Sequence, residues 1–126
     1  MAKTGRTGFR RIYYAAIYSA QVFGHAWKHE SAFRQELALT LMLAPVAFWL
    51  GQSAVERVML IGVCLLVLCV ELLNSAIEAA IDRHGDEHHE LSGRAKDLGS
   101  SAVFVSLVLV VLVWGAVAYQ RFFAGT

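Results

Sequence analysis

Proline is nearly absent from this chain, with only Pro45 in 126 residues, and cysteine is scarce, with two. Neither sign of charge is in excess: eleven Lys and Arg against ten Asp and Glu leave a formal net charge of +1. Each scarcity excludes something. One proline leaves little to interrupt long helices. Near-neutral charge argues against a nucleic-acid partner, which would call for a basic field on one face. Cys64 and Cys69, five positions apart, would stand about 140° apart on a helix, so they cannot bond to each other within one chain. They read as small apolar residues. Residues 1–36 are polar or amphipathic, with no apolar run before a small-residue cleavage site, so no signal peptide is expected and insertion rests on segments further on. Neither a Walker A loop, a protein-kinase glycine loop nor an HExxH metal motif occurs.

What the chain has instead is apolar length. It is 57% hydrophobic with a mean hydropathy of +0.52, against about 45–50% apolar residues in an ordinary soluble domain. The size allows one domain. Three segments are expected to span a membrane as helices: 33–50, which contains Pro45, then 54–82 and 98–120. At about 1.5 Å per residue the second is roughly 43 Å long, more than a hydrocarbon core of about 30 Å, so its last turns protrude. The third is rich in Val and Leu, but in lipid every backbone group must be paired internally, and helix wins over β-propensity.

Lys and Arg set the orientation. Lys3, Arg6, Arg10, Arg11, Lys28 and Arg34 lie at or before the start of the first span, and Arg83, Arg94 and Lys96 between the second and third. Only Arg57 and Arg121 fall on the other side. The N-terminus and a loop over 83–97 are therefore expected in the cytoplasm and the C-terminus outside. Ahead of the spans, Phe9, Ile12, Tyr13, Ala16, Ile17, Ala20, Phe23 and Trp27 recur at three- and four-residue steps. That spacing predicts an amphipathic helix over about 8–30, lying flat on the cytoplasmic interface.

The costly residues gather where the second span leaves the membrane. On a helical wheel Glu71, Asn74, Glu78 and Asp82 share an arc of roughly 80°, one polar stripe. Glu71 and Glu78 stand about 10 Å apart along the axis, too far to grip one ion together, so they carry different tasks. Ionisable side chains at this depth face a bundle interior and mark functional sites; the competing reading for Glu71 and Asn74 is a polar clamp between helices. Glu71 suits a base at head-group depth, and a shallower carboxylate suits Mg²⁺, which takes a few carboxylates plus phosphate oxygens. Asp82, beside Arg83, also reads as a solvated helix end. In the following loop, Lys96 suits phosphate charge and Asp97 suits the cap of the third helix. His84, His88, His89, Glu87 and Glu90 lack a zinc spacing and read as a solvated loop. Glu30, Arg34, Gln35 and Glu36 fall on the same cytoplasmic boundary. Separate segments thus converge on one plane, as a site for an interfacial molecule would require.

These residues resemble the prokaryotic diacylglycerol kinase family of small membrane kinases. The pattern E-x-x-N-S-A-x-E-x-x-x-D stands here as Glu71, Asn74, Ser75, Ala76, Glu78 and Asp82, and "HELSGRAKDLGS" (89–100) and "AFRQE" (32–36) are similar to family segments. The resemblance implies an all-α integral membrane fold with an interfacial helix and three spans. It also implies a homotrimer with sites shared between chains, in the bacterial inner membrane. The activity implied is transfer of phosphate from ATP, with Mg²⁺, to the primary hydroxyl of diacylglycerol, giving phosphatidate. By the same resemblance Glu71 is the general base, and Glu30 and Glu78 hold Mg²⁺. Arg11, Tyr18, Glu30, Glu78, Glu87, His88, His89, Lys96 and Asp97 contact the nucleotide. Arg11, Trp27, Ala32, Phe33, Arg34, Gln35, Glu36, Glu71 and Ser100 line the lipid, with Asn74 and Asp82 in support. His88-His89 departs from the aromatic-His pair of the family pattern.

Two other functions fit parts of the chain. Undecaprenol, phosphorylated by enzymes on the same scaffold, also presents one primary hydroxyl at the interface; "AFRQE", Trp27 and "TGFRRI" resemble the Gram-negative branch and favour diacylglycerol. A small proton- or cation-conducting oligomer would need polar residues across the bilayer, and 54–70 has none that ionise beyond Glu56 and Arg57 at its outer end.

Overall fold

Helices account for nearly all of the chain that the structure describes, residues 7–83 and 89–124 of a computed structural model. In order they are α1 (Gly8–His29), α2 (Ser31–Leu50), α3 (Ala54–Asp82) and α4 (Glu90–Phe122), with no strand among the described residues. The chain divides into two units, 1–34 and 35–126.

The first unit is α1 and the turn that follows it. Gly8 opens the helix at φ +61°, a left-handed backbone that glycine adopts without steric cost. The apolar stripe expected from the three- and four-residue spacing is open to the surroundings, with Phe9 90% exposed. At Glu30 the backbone turns to φ −116°, ψ 100°, and α1 ends. Arg34 then reaches back: its Nη1 donates to the carbonyl of Trp27 at 3.0 Å, satisfying one of the orphan acceptors of the helix end. Phe33 stacks on Phe23 with ring centroids 6.0 Å apart.

The second unit is built on the antiparallel pair α3 and α4. Ser53 starts α3 by accepting from the Glu56 N–H at 3.2 Å, while the Glu56 carboxylate accepts from the Gln52 N–H at 2.8 Å. This reciprocal arrangement occupies two donors that the first turn leaves over. Leu60, Cys64, Val67, Leu68 and Glu71 form the buried face of α3. Near the start of α3, Leu60 joins Ala47 and Leu50 of α2 and Val117 of α4 in a core, flanked by Ile61, Val113, Trp114 and Ala118. The Trp114 indole N–H donates to the Leu60 carbonyl at 3.1 Å and ties the two long helices.

The end of α2 is closed by arginines. Arg57 Nε donates to the Phe48 carbonyl at 3.2 Å, and Arg121 Nη1 donates to the carbonyls of Trp49 and Leu50 at 2.8 and 3.2 Å. The Arg121 guanidinium also lies over the Trp49 ring, 5.1 Å from its centroid, a cation–π contact. Gly51 leaves room for this closure, since a Cβ there would come within 2.7 Å of Arg57 Cγ and 3.1 Å of the Ala47 carbonyl. These are the two cations that the charge asymmetry left on the far side. Their place is explained by the helix C-terminus they cap, where positive charge is favoured.

α3 and α4 are each long and apolar enough to cross a membrane. Large apolar side chains stay open to the surroundings along them, among them Leu65, Phe104 and Val111. α3 has the expected bounds, but α4 does not. Helix begins at Glu90, inside the segment expected to be a loop through residue 97. Hydropathy marks only where the apolar run starts; capping decides where the helix does. The His89 ring accepts from the Leu91 N–H at 3.1 Å, and Glu90 and Arg94 pair across one turn at 3.7 Å. The expected cap at Asp97 is thereby corrected, because Asp97 sits in the interior of α4 and its carbonyl accepts from Ser101 Oγ at 2.8 Å.

Replacing Arg121 by Ala removes the donors to Trp49 and Leu50. The expected loss is about 1–2 kcal/mol of stability, read as a lower midpoint of unfolding in mixed micelles titrated with SDS. Arg121→Lys should recover only part of it, because one ammonium cannot reproduce the planar guanidinium over Trp49.

Candidate active site

The buried face of α3 changes character along its length. It is apolar from Leu60 to Leu68 and becomes polar at Glu71, which is only 8% exposed. Asn74 and Glu78 continue it, half-buried, and Asp82 ends it. The wheel position of the stripe is therefore the face that packs on α4.

α4 meets this stripe with two residues. Lys96 Nζ bonds Asp82 Oδ1 at 2.8 Å, joining the last turn of α3 to the start of α4. That hydrogen bond, and then the Asp82 charge, raises the Lys96 pKa above its ordinary value, with Glu78 acting in the same sense. One turn further along α4, Gly99 is buried against Asn74: a Cβ there would run into Asn74 Oδ1 and stand 3.3 Å from its amide carbon. Among the described residues, Asn74 Oδ1 is a buried side-chain oxygen with no hydrogen-bond partner. An acceptor left so costs on the order of 1–3 kcal/mol.

The expected site residues fall into groups. Glu71, Asn74, Glu78 and Asp82 are brought together on one face, with Lys96 across from them. Asp97 and Ser100 are exposed on α4. His89 spends Nδ1 on the cap of α4. Glu87 and His88 lie outside the described residues. Arg11, Tyr18, Trp27, Glu30, Ala32, Phe33 and Arg34 belong to the first unit, and Gln35 and Glu36 to the second. Within the first unit Arg34 is engaged as the cap of α1 and Phe33 in stacking, so both shape the turn at Glu30. Two features escaped sequence reasoning: the Asp82–Lys96 pair and the role of Gly99. A lone glycine inside a helical pattern is the signal for a close approach, but Gly99 stood next to an expected loop.

Among the described residues no three His, Cys, Asp or Glu side chains gather to hold a metal ion by themselves. Glu78 offers carboxylate oxygens beside the orphan amide oxygen of Asn74, and Mg²⁺ needs only one or two carboxylates when phosphates supply the rest.

The described residues are all-helical, with two apolar helices long enough to cross a membrane and a cluster of carboxylates and a lysine where those helices approach each other at one end. The model of the family described as prokaryotic diacylglycerol kinase matches residues 17–118. Diacylglycerol kinase of Escherichia coli K12 is 49% identical over 116 residues, covering 92% of this chain and 95% of that one. That of Pseudomonas aeruginosa is 50% identical over 113 residues, covering 90% and 92%. That of Haemophilus influenzae is 46% identical over 113 residues, covering 90% and 96%. The chain belongs to the prokaryotic diacylglycerol kinase family.

In Asp82→Asn the Lys96 ammonium should titrate lower, back toward the ordinary lysine value of about 10.4. Because the pair raises the folded-state value, its contribution is complete below the ordinary value. It fades only as pH rises through the raised one. An NMR titration of the lysine side chains checks the shift; an unchanged Lys96 would show that the pair does not persist in solution.

Proposed function

We propose that this protein transfers the γ-phosphoryl group of ATP to the primary hydroxyl of diacylglycerol, giving phosphatidate and ADP at the cytoplasmic face of a bacterial inner membrane. The observation that carries this reading is the switch of the buried α3 face from apolar to acidic at Glu71. The family membership and the names of its relatives supply the acceptor. In this reading α2 forms a third span, α1 lies on the interface, and three copies assemble with sites shared between neighbours. The N-terminus is cytoplasmic and the C-terminus periplasmic.

Each residue then has a task. Glu71 takes the proton as the hydroxyl oxygen bonds to the γ-phosphorus and the bond to the ADP oxygen breaks. Its place on the buried face of α3 keeps it in the same layer as an alcohol that never leaves the membrane. Glu78 and Glu30 hold the Mg²⁺, which when bound offsets charge on the phosphates. Lys96 has three N–H donors, so it can keep Asp82 and still donate to a phosphate oxygen. Arg11, Tyr18, Glu87, His88, His89 and Asp97 contact the nucleotide. Trp27, Ala32, Phe33, Arg34, Gln35, Glu36 and Ser100 flank the lipid. Phosphoryl transfer is mainly positioning and charge stabilisation, so such a set needs no separate nucleotide-binding fold. A conduction path is disfavoured by the outer half of the same face, where Leu60, Cys64, Val67 and Leu68 are buried.

The test is transfer of labelled phosphate from ATP to diacylglycerol by the purified chain in mixed micelles, with undecaprenol assayed beside it. Glu71→Gln should fold, bind nucleotide and lose roughly 10²–10⁴ of its turnover; near-normal turnover would remove the base assignment. Glu78→Gln should need more Mg²⁺ for its residual rate.

A further inference from the structure

The contact between Asn74 and Gly99 is not explained by the roles above. The Asn74 carboxamide lies in the stripe between Glu71 and Glu78, its Oδ1 buried and without a donor among the described residues. Opposite it, α4 has no side chain at all. A methyl group on Gly99 would overlap Oδ1, while the nearest atom beyond the Asn74 side chain, Ile77 Cδ1, would stay at an ordinary 3.7 Å. The clash thus falls on the free end of a short side chain, not on backbone. Helix α4 would accept alanine there readily, which is a better helix former than glycine. What alanine would not leave in place is the amide.

We propose that Gly99 is a positioning residue: its bare Cα lodges the Asn74 carboxamide between Glu71 and Glu78, with Oδ1 kept free for an O–H donor that arrives with the substrates. This rests on the kinase reading of the stripe. The donor is of one chemistry, a polarised O–H, supplied either by the primary alcohol of the lipid or by water on the bound Mg²⁺. A buried oxygen without a partner inside the chain is destabilising until such a donor fills it.

The full-length chain in mixed micelles tests this. Gly99→Ala should melt close to the wild type and lose about 10–100-fold in turnover, the scale on which small misplacements act. In an Asn74→Ala background the same change should alter turnover less than about twofold, because it acts through the amide alone. Equal losses in both backgrounds would overturn the proposal. A structural readout stands beside the kinetic one: Gly99→Ala should shift the side-chain NH₂ resonance of Asn74 in an NMR spectrum, and an unmoved resonance in an active chain would overturn this inference while leaving the kinase reading intact. A wild type that phosphorylates no lipid overturns both. For the source of the donor, Asn74→Ala raising the Mg²⁺ requirement assigns metal-bound water, and a raised KM for diacylglycerol assigns the alcohol. A variant that shifts neither shows that the oxygen only fills space, which also sinks the proposal.

Discussion

The close packing of α3 on α4 along one face is the constraint from which the other features follow. That face must be apolar enough to assemble two long helices and polar enough to carry chemistry, and it meets both demands by dividing its length. Leu60, Cys64, Val67 and Leu68 fill the outer half, and Glu71 begins the inner half. A carboxylate turned toward hydrocarbon would cost several kcal/mol, on the order of 2.5–3.5 or more at the middle of a span. Enclosure against α4 removes that exposure while leaving the group deep. The depth of Glu71 is therefore a product of helix packing, not of its position in the sequence alone.

The two ends of the helical unit use cations for different purposes. At the start of α3, Arg57 and Arg121 donate to neutral carbonyls at the end of α2, and their hydrogen bonds are consumed by the fold. At the other end Lys96 faces Asp82 and, more distantly, Glu78. An ammonium held by one carboxylate retains donors, and an exposed pair of this kind adds little stability. The arginines close the structure; Lys96 keeps donors beyond the one given to Asp82. Both are invisible to a count of positive charge, which treats all eleven Lys and Arg alike.

How much could be read from the sequence depended on the range of the interaction. The bounds of α3 were legible because an apolar run and a polar stripe of helical period both lie within it. The same period placed Glu71, Asn74, Glu78 and Asp82 on one face, and the structure shows that face packed on α4. The start of α4 was not legible. Ser92 and Gly93 weaken the local helical pattern, and the residues that anchor it, His89 by its cap and Lys96 by its bond to Asp82, act through a cap and a long-range pair. The Asn74–Gly99 contact and the Arg121 closure join residues 25 or more apart, beyond any window of periodicity.

Local rules fail in this chain where the proposed chemistry lies. Elsewhere the fold satisfies itself: the starts of α3 and α4 are capped, the end of α2 is closed, and the Trp114 N–H finds a carbonyl. Along the second half of α3 it does not, since among the described residues the buried Asn74 Oδ1 is left without a donor. That fault could be relieved by an apolar residue of similar size, which would suit the surrounding helices better. A clamp between helices would call for Asn74 to bond across to α4, yet α4 presents Gly99, a residue with no side chain to offer. That choice argues against a purely structural role for the stripe. It favours a site in which the missing donor to Asn74 comes from outside the chain.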